Sequence, residues 1–252
     1  MVTVELLISL LLRFPAVRAA IARHFWKMQW GFNETFSGLT TAAHMLGEVM
    51  TTIGSLSLAL VAGEIVAGER DRGTFRLVFC RPVSRGAILL QKGIVCAVFT
   101  VVLAVFCGVS ALSIGLLFEG RGPLVMVAIH ESVLGAFDYS HGLDRYALAV
   151  ALLCVSAFSG TLMGLAFSCC NVKPATAAAL ALTILFADTA IRTSPTLASV
   201  TPYCLTTRLL AWRQVFNDEI PWPRIERSYR ELLWWDAAWI ALAWGAFRRR
   251  EF

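Results

Sequence analysis

Charged residues are scarce in this chain. They make up 15% of its 252 residues, whereas 58% are hydrophobic, and a soluble domain is closer to a quarter charged. The run Gly93–Phe118 contains no charged residue at all. A helix needs about 20 apolar residues to cross the hydrocarbon core of a bilayer, and long unbroken apolar runs favour helices over a barrel. The scarcity of charge therefore argues against a soluble domain and indicates a polytopic membrane protein.

Several motifs are also missing. No pair among the seven cysteines has the CxxC or CxxH spacing of a metal site, and no basic stripe carries a nucleic-acid-binding motif. No GxxxxGK[ST] loop is present to hold nucleotide phosphates. A metal site built from His130, Glu131 and His141 has no supporting spacing. We therefore predict no cofactor, no nucleic-acid partner and no enzymatic activity in this chain.

The apolar segments predict an all-α fold, a membrane bundle of about six transmembrane helices in a single domain. The first segment is short for a full span, as a truncated helix would be. Residues 124–145 predict a loop with a half-buried helix, and 194–231 predict a non-cytoplasmic loop. The six predicted spans are 1–17, Thr41–Gly63, 86–118, Tyr146–Cys169, Ala175–Ile191 and Leu232–Phe247.

Small residues recur four apart or nearly so in two of these spans. This spacing lets helix backbones approach closely in lipid. We therefore expect both stripes to lie at helix–helix contacts. The residues are Ala104, Gly108, Ala111 and Gly115 in one span, and Ser156, Gly160, Gly164 and Ser168 in the other.

The densest charge lies between two spans, in Gly63–Lys92. Within it Thr74 is a suitable N-cap, and Ser84 can cap the next helix. Apolar Phe75 and Phe79 fall on one helical face between arginines. The pattern predicts a short amphipathic helix on the membrane face within segment 64–86. The segment is equally compatible with a docking site for a soluble partner and with a solvated basic loop.

Two ionisable pairs lie inside predicted spans, His44 with Glu48 and Asp188 with Arg192. Each pair is spaced i, i+4, so both members share one helix face. Ionisable groups within a membrane are functional candidates by default. We therefore regard these four residues as candidates for a transport pathway, and Asp188 can pair with Arg192.

Counting six spans places the charged segment, the Asn171–Pro174 turn and the C-terminus on one side of the membrane. The count of Lys and Arg on the two sides does not decide the orientation. We expect this side to be cytoplasmic, because the basic residues of the segment are dense and directly adjoin two spans.

The charged segment resembles a family signature. Gly68-Glu69-Arg70-Asp71-Arg72-Gly73-Thr74, followed by Arg81-Pro82-Val83-Ser84-Arg85 and Lys92, is similar to the GERexGTlelLLsrPvsR…GK motif of type-2 ABC exporter permeases. The ending Phe247-Arg248-Arg249-Arg250-Glu251-Phe252 resembles their FrRRDi tail. Permeases like that of nitrous-oxide-reductase maturation are the members that it resembles.

This resemblance implies a permease subunit of the cell (inner) membrane. Two permease copies, identical or different, would form the pathway in the lipid bilayer. A separate cytoplasmic ABC ATPase would bind beneath and supply energy from ATP for moving an unidentified substrate. The ATPase-coupling residues implied are Glu69, Arg70, Asp71, Arg72, Gly73, Thr74, Phe75, Arg76, Arg81, Pro82 and Arg85.

Other functions stay open from the residues alone. An ion-coupled secondary transporter or channel without an ATPase would use the four pathway candidates as its site. An intramembrane serine protease would need more than Gly108-Val109-Ser110, because no later span holds a histidine to act as base. A passive membrane anchor would need no site at all.

Overall fold

The computed structural model describes residues 37–73, 84–128, 133–197 and 199–248. Four of the predictions concern residues outside these ranges. They are the first span (1–17), the amphipathic helix from Thr74, the histidine and glutamate at 130 and 131, and the tail beyond Arg248.

The described chain is mainly helical. Helix α1 (Gly38–Val49), a π-helical turn (Met50–Gly54) and α2 (Ser55–Asp71) follow one another without a break in the helix. Helices α3 (Arg85–Glu119), α4 (Tyr139–Cys169) and α5 (Pro174–Thr193) follow, then short α6 (Leu205–Leu209) and α7 (Trp222–Arg248). Strands β1 (Leu124–Ala128) and β2 (Val133–Phe137) separate α3 from α4, and 3-10 turns (Pro195–Leu197, Thr201–Tyr203, Ala211–Phe216) flank α6.

Four of these elements are long and apolar enough to cross a membrane: Gly38–Asp71, Arg85–Glu119, Tyr139–Cys169 and Pro174–Thr193. They correspond to the second to fifth predicted spans. The all-α polytopic bundle is therefore confirmed. The last predicted span lies within α7, which begins at Trp222 rather than at Leu232 because a charged, amphipathic stretch extends the helix at its N-terminal end.

Local chemistry explains where the helices begin and end. The Ser37 hydroxyl accepts from the Thr40 N–H at 3.2 Å and caps α1. Pro174 stands in the first turn of α5, where a missing N–H costs nothing. Gly73 and Gly120 follow the ends of α2 and α3 with φ values of 71° and 76°, a left-handed conformation that glycine adopts without strain.

The interpretation of 124–145 as a loop with a half-buried helix is wrong at Leu124–Ala128 and Val133–Phe137, which are strands. A β-hairpin forms instead, with β1 and β2 antiparallel and Leu124 opposite Phe137. Val125 and Val133 are among its branched residues, which favour a strand. Helix α4 then starts at Tyr139 rather than at Tyr146, because its first two turns are helical but too polar for a hydropathy pattern to include.

The described chain folds as two compact units. The first holds α1, α3 from Ala104 onward, the hairpin, α4 as far as Leu152, and Trp212–Trp222. Its core contains large side chains that are almost fully buried, among them Leu39, Met45, Leu124, Met126, Trp212 and Phe216. The small-residue stripe of α3 contributes here. Gly115 lies against the backbone of Gly38, and Gly108 lies against Val150.

The second unit holds Gly54–Leu103, Leu153–Ala211 and the chain from Pro223. In its core α2 contacts α4 and α5 closely, because Gly164 lies against Ala62 and Gly63 lies against Pro174 and Ala178. The stripe on α4 is only partly a contact surface. A Cβ added to Gly160 would meet no other atom within 4 Å, so this glycine does not mark a close approach within the described residues.

Candidate functional site: the ends of α2 and α3

The coupling motif begins inside a helix. We expected the second span to end near Gly63, but α2 continues to Asp71. The extension is stable because Ala62, Val66 and Ala67 are buried in the core of the second unit. Glu69 and Arg70 are half-buried, whereas Asp71 and Arg72 are exposed. The first part of the motif therefore packs against the protein, whereas the second part faces its surface.

Arg70 binds the turn between α4 and α5. Its Nη1 donates to the Cys170 carbonyl at 3.0 Å, and its Nη2 donates to the Val172 carbonyl. The last carbonyls of a helix have no partner within the helix, and a cation near them is favourable. Arg70 therefore connects the end of α2 to the end of α4, and its guanidinium is used inside the chain.

Ser168 makes a second connection, one turn deeper. Its hydroxyl donates to the Gly63 carbonyl at 2.7 Å and accepts from the Ala67 N–H at 2.9 Å and the Val66 N–H at 3.2 Å. This serine is fully buried. A side chain of α4 thus enters the hydrogen-bond ladder of α2 just before the motif. The small-residue stripe placed Ser168 at a helix contact but gave no sign of these bonds.

Three further contacts hold the start of α3. Lys92 forms an ion pair with Glu69 of α2, and the Arg85 Nη1 donates to the Arg248 carbonyl at 2.9 Å. The Ser84 hydroxyl accepts from the Ala87 N–H at 3.3 Å. The prediction that Ser84 caps this helix is confirmed. Residues on both sides of the segment that follows Gly73 are therefore anchored.

These contacts also bring three parts of the chain together. Arg70 reaches the 170–172 turn, and Arg85 reaches the end of α7. The described ends of the charged segment therefore lie at the same end of the second unit as this turn and the end of α7. Five predicted coupling residues lie outside the described part of the chain: Thr74, Phe75, Arg76, Arg81 and Pro82.

The pathway candidates His44 and Glu48 lie in the first unit, beside a residue that sequence reasoning missed. The Arg213 Nη2 is 3.7 Å from the Glu48 Oε1. Arg213 passes so close to Gly47 that a Cβ there would meet its guanidinium, and its central carbon lies 5.5 Å from the Trp212 ring. Only the fold brings Arg213 to this pair, because it is far from both residues in the sequence.

The other two candidates, Asp188 and Arg192, lie in the second unit. Asp188 serves as a cap for α6: its carboxylate accepts from the Thr206 N–H and hydroxyl, each at 2.6 Å, and from the Leu205 N–H at 3.2 Å. Burial, followed by the charge of Asp188, raises the pKa of the Cys204 thiol. Asp188 therefore holds α6 against α5, and its pairing with Arg192 stays a prediction.

One more ionisable group was not singled out from the sequence. Asp236 lies within the predicted last span, and its Oδ2 accepts from the Ser159 hydroxyl at 3.1 Å. The described residues contain no cluster of three or more His, Cys, Asp or Glu side chains that could hold a metal ion.

The sequence of this chain is also similar to those of known proteins. A sequence profile of the family described as ABC-2 family transporter protein matches residues 7–233. The uncharacterized protein YhcI of Bacillus subtilis (strain 168) is 34% identical over 80 residues, which cover 32% of this chain and 26% of YhcI. The similarity to this relative thus extends over about a quarter of its length.

Proposed function

Because this chain belongs to the ABC-2 family of transporter proteins, we propose that it is the membrane-spanning permease subunit of an ABC exporter. A separate ATPase subunit would hydrolyse ATP, and this chain would supply the path for the substrate. The four long apolar helices support a multi-pass membrane location, and we place it in the cell (inner) membrane.

The observation that carries the proposal is the anchoring of both sides of the segment between Gly73 and Ser84. Glu69 is paired with Lys92, and Arg70 and Arg85 bind main-chain carbonyls. A segment held at both ends can transmit a push, whereas a loosely attached loop would absorb it. Asp71 and Arg72 are exposed next to it, where a partner can contact them. We propose that the ATPase docks here, on the cytoplasmic side.

The same contacts give a route for transmitting motion. If the ATPase moves the end of α2, Arg70 pulls on the turn after α4, and Ser168 ties α4 to the α2 backbone. Gly63 adds close contact with α5. The three helices would then move together. This rigid coupling is what an ATP-driven conformational change requires, since packed elements shift between discrete arrangements.

A second permease copy, identical or different, would complete the pathway. Helix α3 presents exposed apolar side chains at Leu90, Ile94, Val98 and Val102. These are spaced four apart and form one face of the helix. In a membrane such a face contacts lipid or another apolar helix, and we propose the second copy as one of its neighbours. His44, Glu48, Asp188 and Arg192 remain candidates for lining the pathway.

Charge reversal at Arg72 tests the docking site. Arg72 is exposed, so an R72E variant should fold and insert normally. A like-charge contact at an interface is costly, and charged rims set the rate of association. We expect R72E to lower recovery of the ATPase with the affinity-tagged chain by about tenfold. Arg70 is unsuitable for this test because its side chain already binds within the permease.

R224E is the matched control. Arg224 is exposed near the start of α7 and receives the same change of charge. It should retain the ATPase at the wild-type level. Equal recovery of the ATPase with wild type, R72E and R224E would contradict docking at this segment, and equal loss from both variants would indicate a general effect of charge.

A further inference from the structure

A groove lies where α7 passes the turn before α6. Its volume is about 470 Å³, within the range of sites that hold small ligands, roughly 300–1,000 Å³. All of its lining residues belong to the second unit. They are Pro202, Tyr203, Arg208, Arg227, Glu231, Trp234 and Trp235.

The groove carries an excess of positive charge. The Glu231 carboxylate is shared between two arginines, with Oε2 at 2.6 Å from the Arg208 Nε and Oε1 at 3.1 Å from the Arg227 Nε. Arg208 also donates from Nη2 to the Pro202 carbonyl at 2.7 Å, which fixes its position. Two guanidinium groups facing one carboxylate give the groove a net positive charge of one. Arg227 is 74% exposed, and its contact with Glu231 uses Nε, so its terminal nitrogens can meet an anion.

Aromatic residues form the other side of the groove. Tyr203 is 82% exposed and Trp234 is 76% exposed, unusual values for such large side chains. Helix α7 is charged before Glu231 and becomes apolar from Leu232 onward. Trp and Tyr concentrate at this kind of boundary in membrane proteins, with their rings at the level of the lipid headgroups.

We propose that this groove binds the headgroup of an anionic membrane phospholipid. The phosphate would meet Arg227 and Arg208, and the glycerol and upper acyl chains would lie along Trp234 and Trp235. The charge excess matches an anion with one negative charge, and two observations favour a lipid over a soluble anion. Cations and aromatic rings follow one another along α7, as headgroup and acyl chain do in a lipid. A small ion would also leave the exposed rings of Tyr203 and Trp234 in contact with water.

Native mass spectrometry of the full chain in detergent can measure this binding. The probes are phosphatidylglycerol and phosphatidylcholine with identical acyl chains. We expect the wild-type chain to bind phosphatidylglycerol more tightly. A basic residue near anionic lipid contributes a factor of about five in affinity, so R227Q should lower the affinity for phosphatidylglycerol by about fivefold and leave that for phosphatidylcholine unchanged.

R230Q supplies the control for charge. Arg230 is exposed on the same helix but does not line the groove, so R230Q should bind phosphatidylglycerol as the wild type does. Equal losses in R227Q and R230Q would overturn the proposal in favour of non-specific attraction. A further arm adds glycerol 3-phosphate as competitor. Displacement of the lipid at equimolar concentration would show that a soluble phosphate occupies the groove, and would also overturn the proposal. The assay contains no ATPase, so its outcome is independent of the docking site.

Discussion

Single residues explain how the end of α2 is held. Arg70 and Ser168 come from different helices, and both bind main-chain groups. Arg70 binds carbonyls of the turn after α4, and Ser168 binds the backbone of α2. Hydrogen bonds to a backbone carbonyl need only a correctly placed donor, so they tolerate changes in the surrounding side chains. Ser168 is fully buried, so its bonds have little competition from water. Replacing one of them therefore tests the connection between helices more cleanly than replacing an apolar contact.

Removal of the Ser168 hydroxyl should loosen α2. S168A leaves the Gly63 carbonyl and the Val66 and Ala67 amides without this partner, and a buried group that loses its hydrogen bond costs about 1–3 kcal/mol. We expect amide hydrogen exchange at Val66 and Ala67 to become about tenfold faster or more. Mass spectrometry of the peptide that covers these residues gives the rate.

Ser113 provides the comparison. Its hydroxyl donates to the Val109 carbonyl of its own helix at 2.8 Å, and it is exposed. S113A should leave exchange at Val66 and Ala67 unchanged. An unchanged exchange rate in S168A would mean that Ser168 does not hold α2, and transmission through α4 would have to be abandoned.

Whole elements show where sequence patterns succeed and where they fail. Long apolar runs predicted four described helices, because hydropathy over some 20 residues is a strong signal. The sequence did not predict the hairpin, because ten strand residues beside a polar stretch give only a weak hydropathy signal. The starts of α4 and α7 were placed too late for a related reason. Both begin with polar turns that are helical but not apolar.

The site shows the same division. The motif marked Glu69–Gly73 and Arg85 as coupling residues, and this assignment stays a prediction. It could not reveal that Arg70 binds the turn after α4 or that Arg213 lies beside Glu48, because these partners are about 100 residues or more away in the sequence. Contacts of this kind depend on how helices pack, and packing is decided by all of the residues at the interface together.

Two glycines of α4 test the packing of helices directly. Alanine in place of helical glycine normally stabilises by about 1 kcal/mol. G160A should show this gain, since a Cβ there meets open space. At Gly164 a Cβ would lie 2.8 Å from that of Ala62, so crowding should cancel the gain and separate α4 from α2. Thermal unfolding in detergent should give a higher Tm for G160A than for G164A.

The sign of the difference decides this prediction. A Tm for G164A equal to or above that of G160A would show that α2 and α4 are not in close contact at Gly164. The two variants differ by one turn of the same helix and by an identical change in composition. Helix propensity therefore cannot account for a difference between them.

At the scale of the whole molecule, the proposed docking site requires one orientation in the membrane. The end of the second unit that holds Arg72, the turn after α4 and the C-terminal end of α7 would have to face the cytoplasm, because the ATPase subunit that we propose would bind there. The family match supports a transporter, and the anchored ends of α2 and α3 support a docking site. A docking site on the opposite side of the membrane would be out of reach of an ATPase in the cytoplasm.

The most direct test is the accessibility of residue 72 from each side of the membrane. An R72C variant is treated with a membrane-impermeant maleimide in intact spheroplasts and in inverted membrane vesicles, with the wild-type chain as the background for its own cysteines. The account predicts labelling above background in inverted vesicles and none in spheroplasts. Labelling in spheroplasts with protection in inverted vesicles would contradict it, because no cytoplasmic ATPase could then reach this segment.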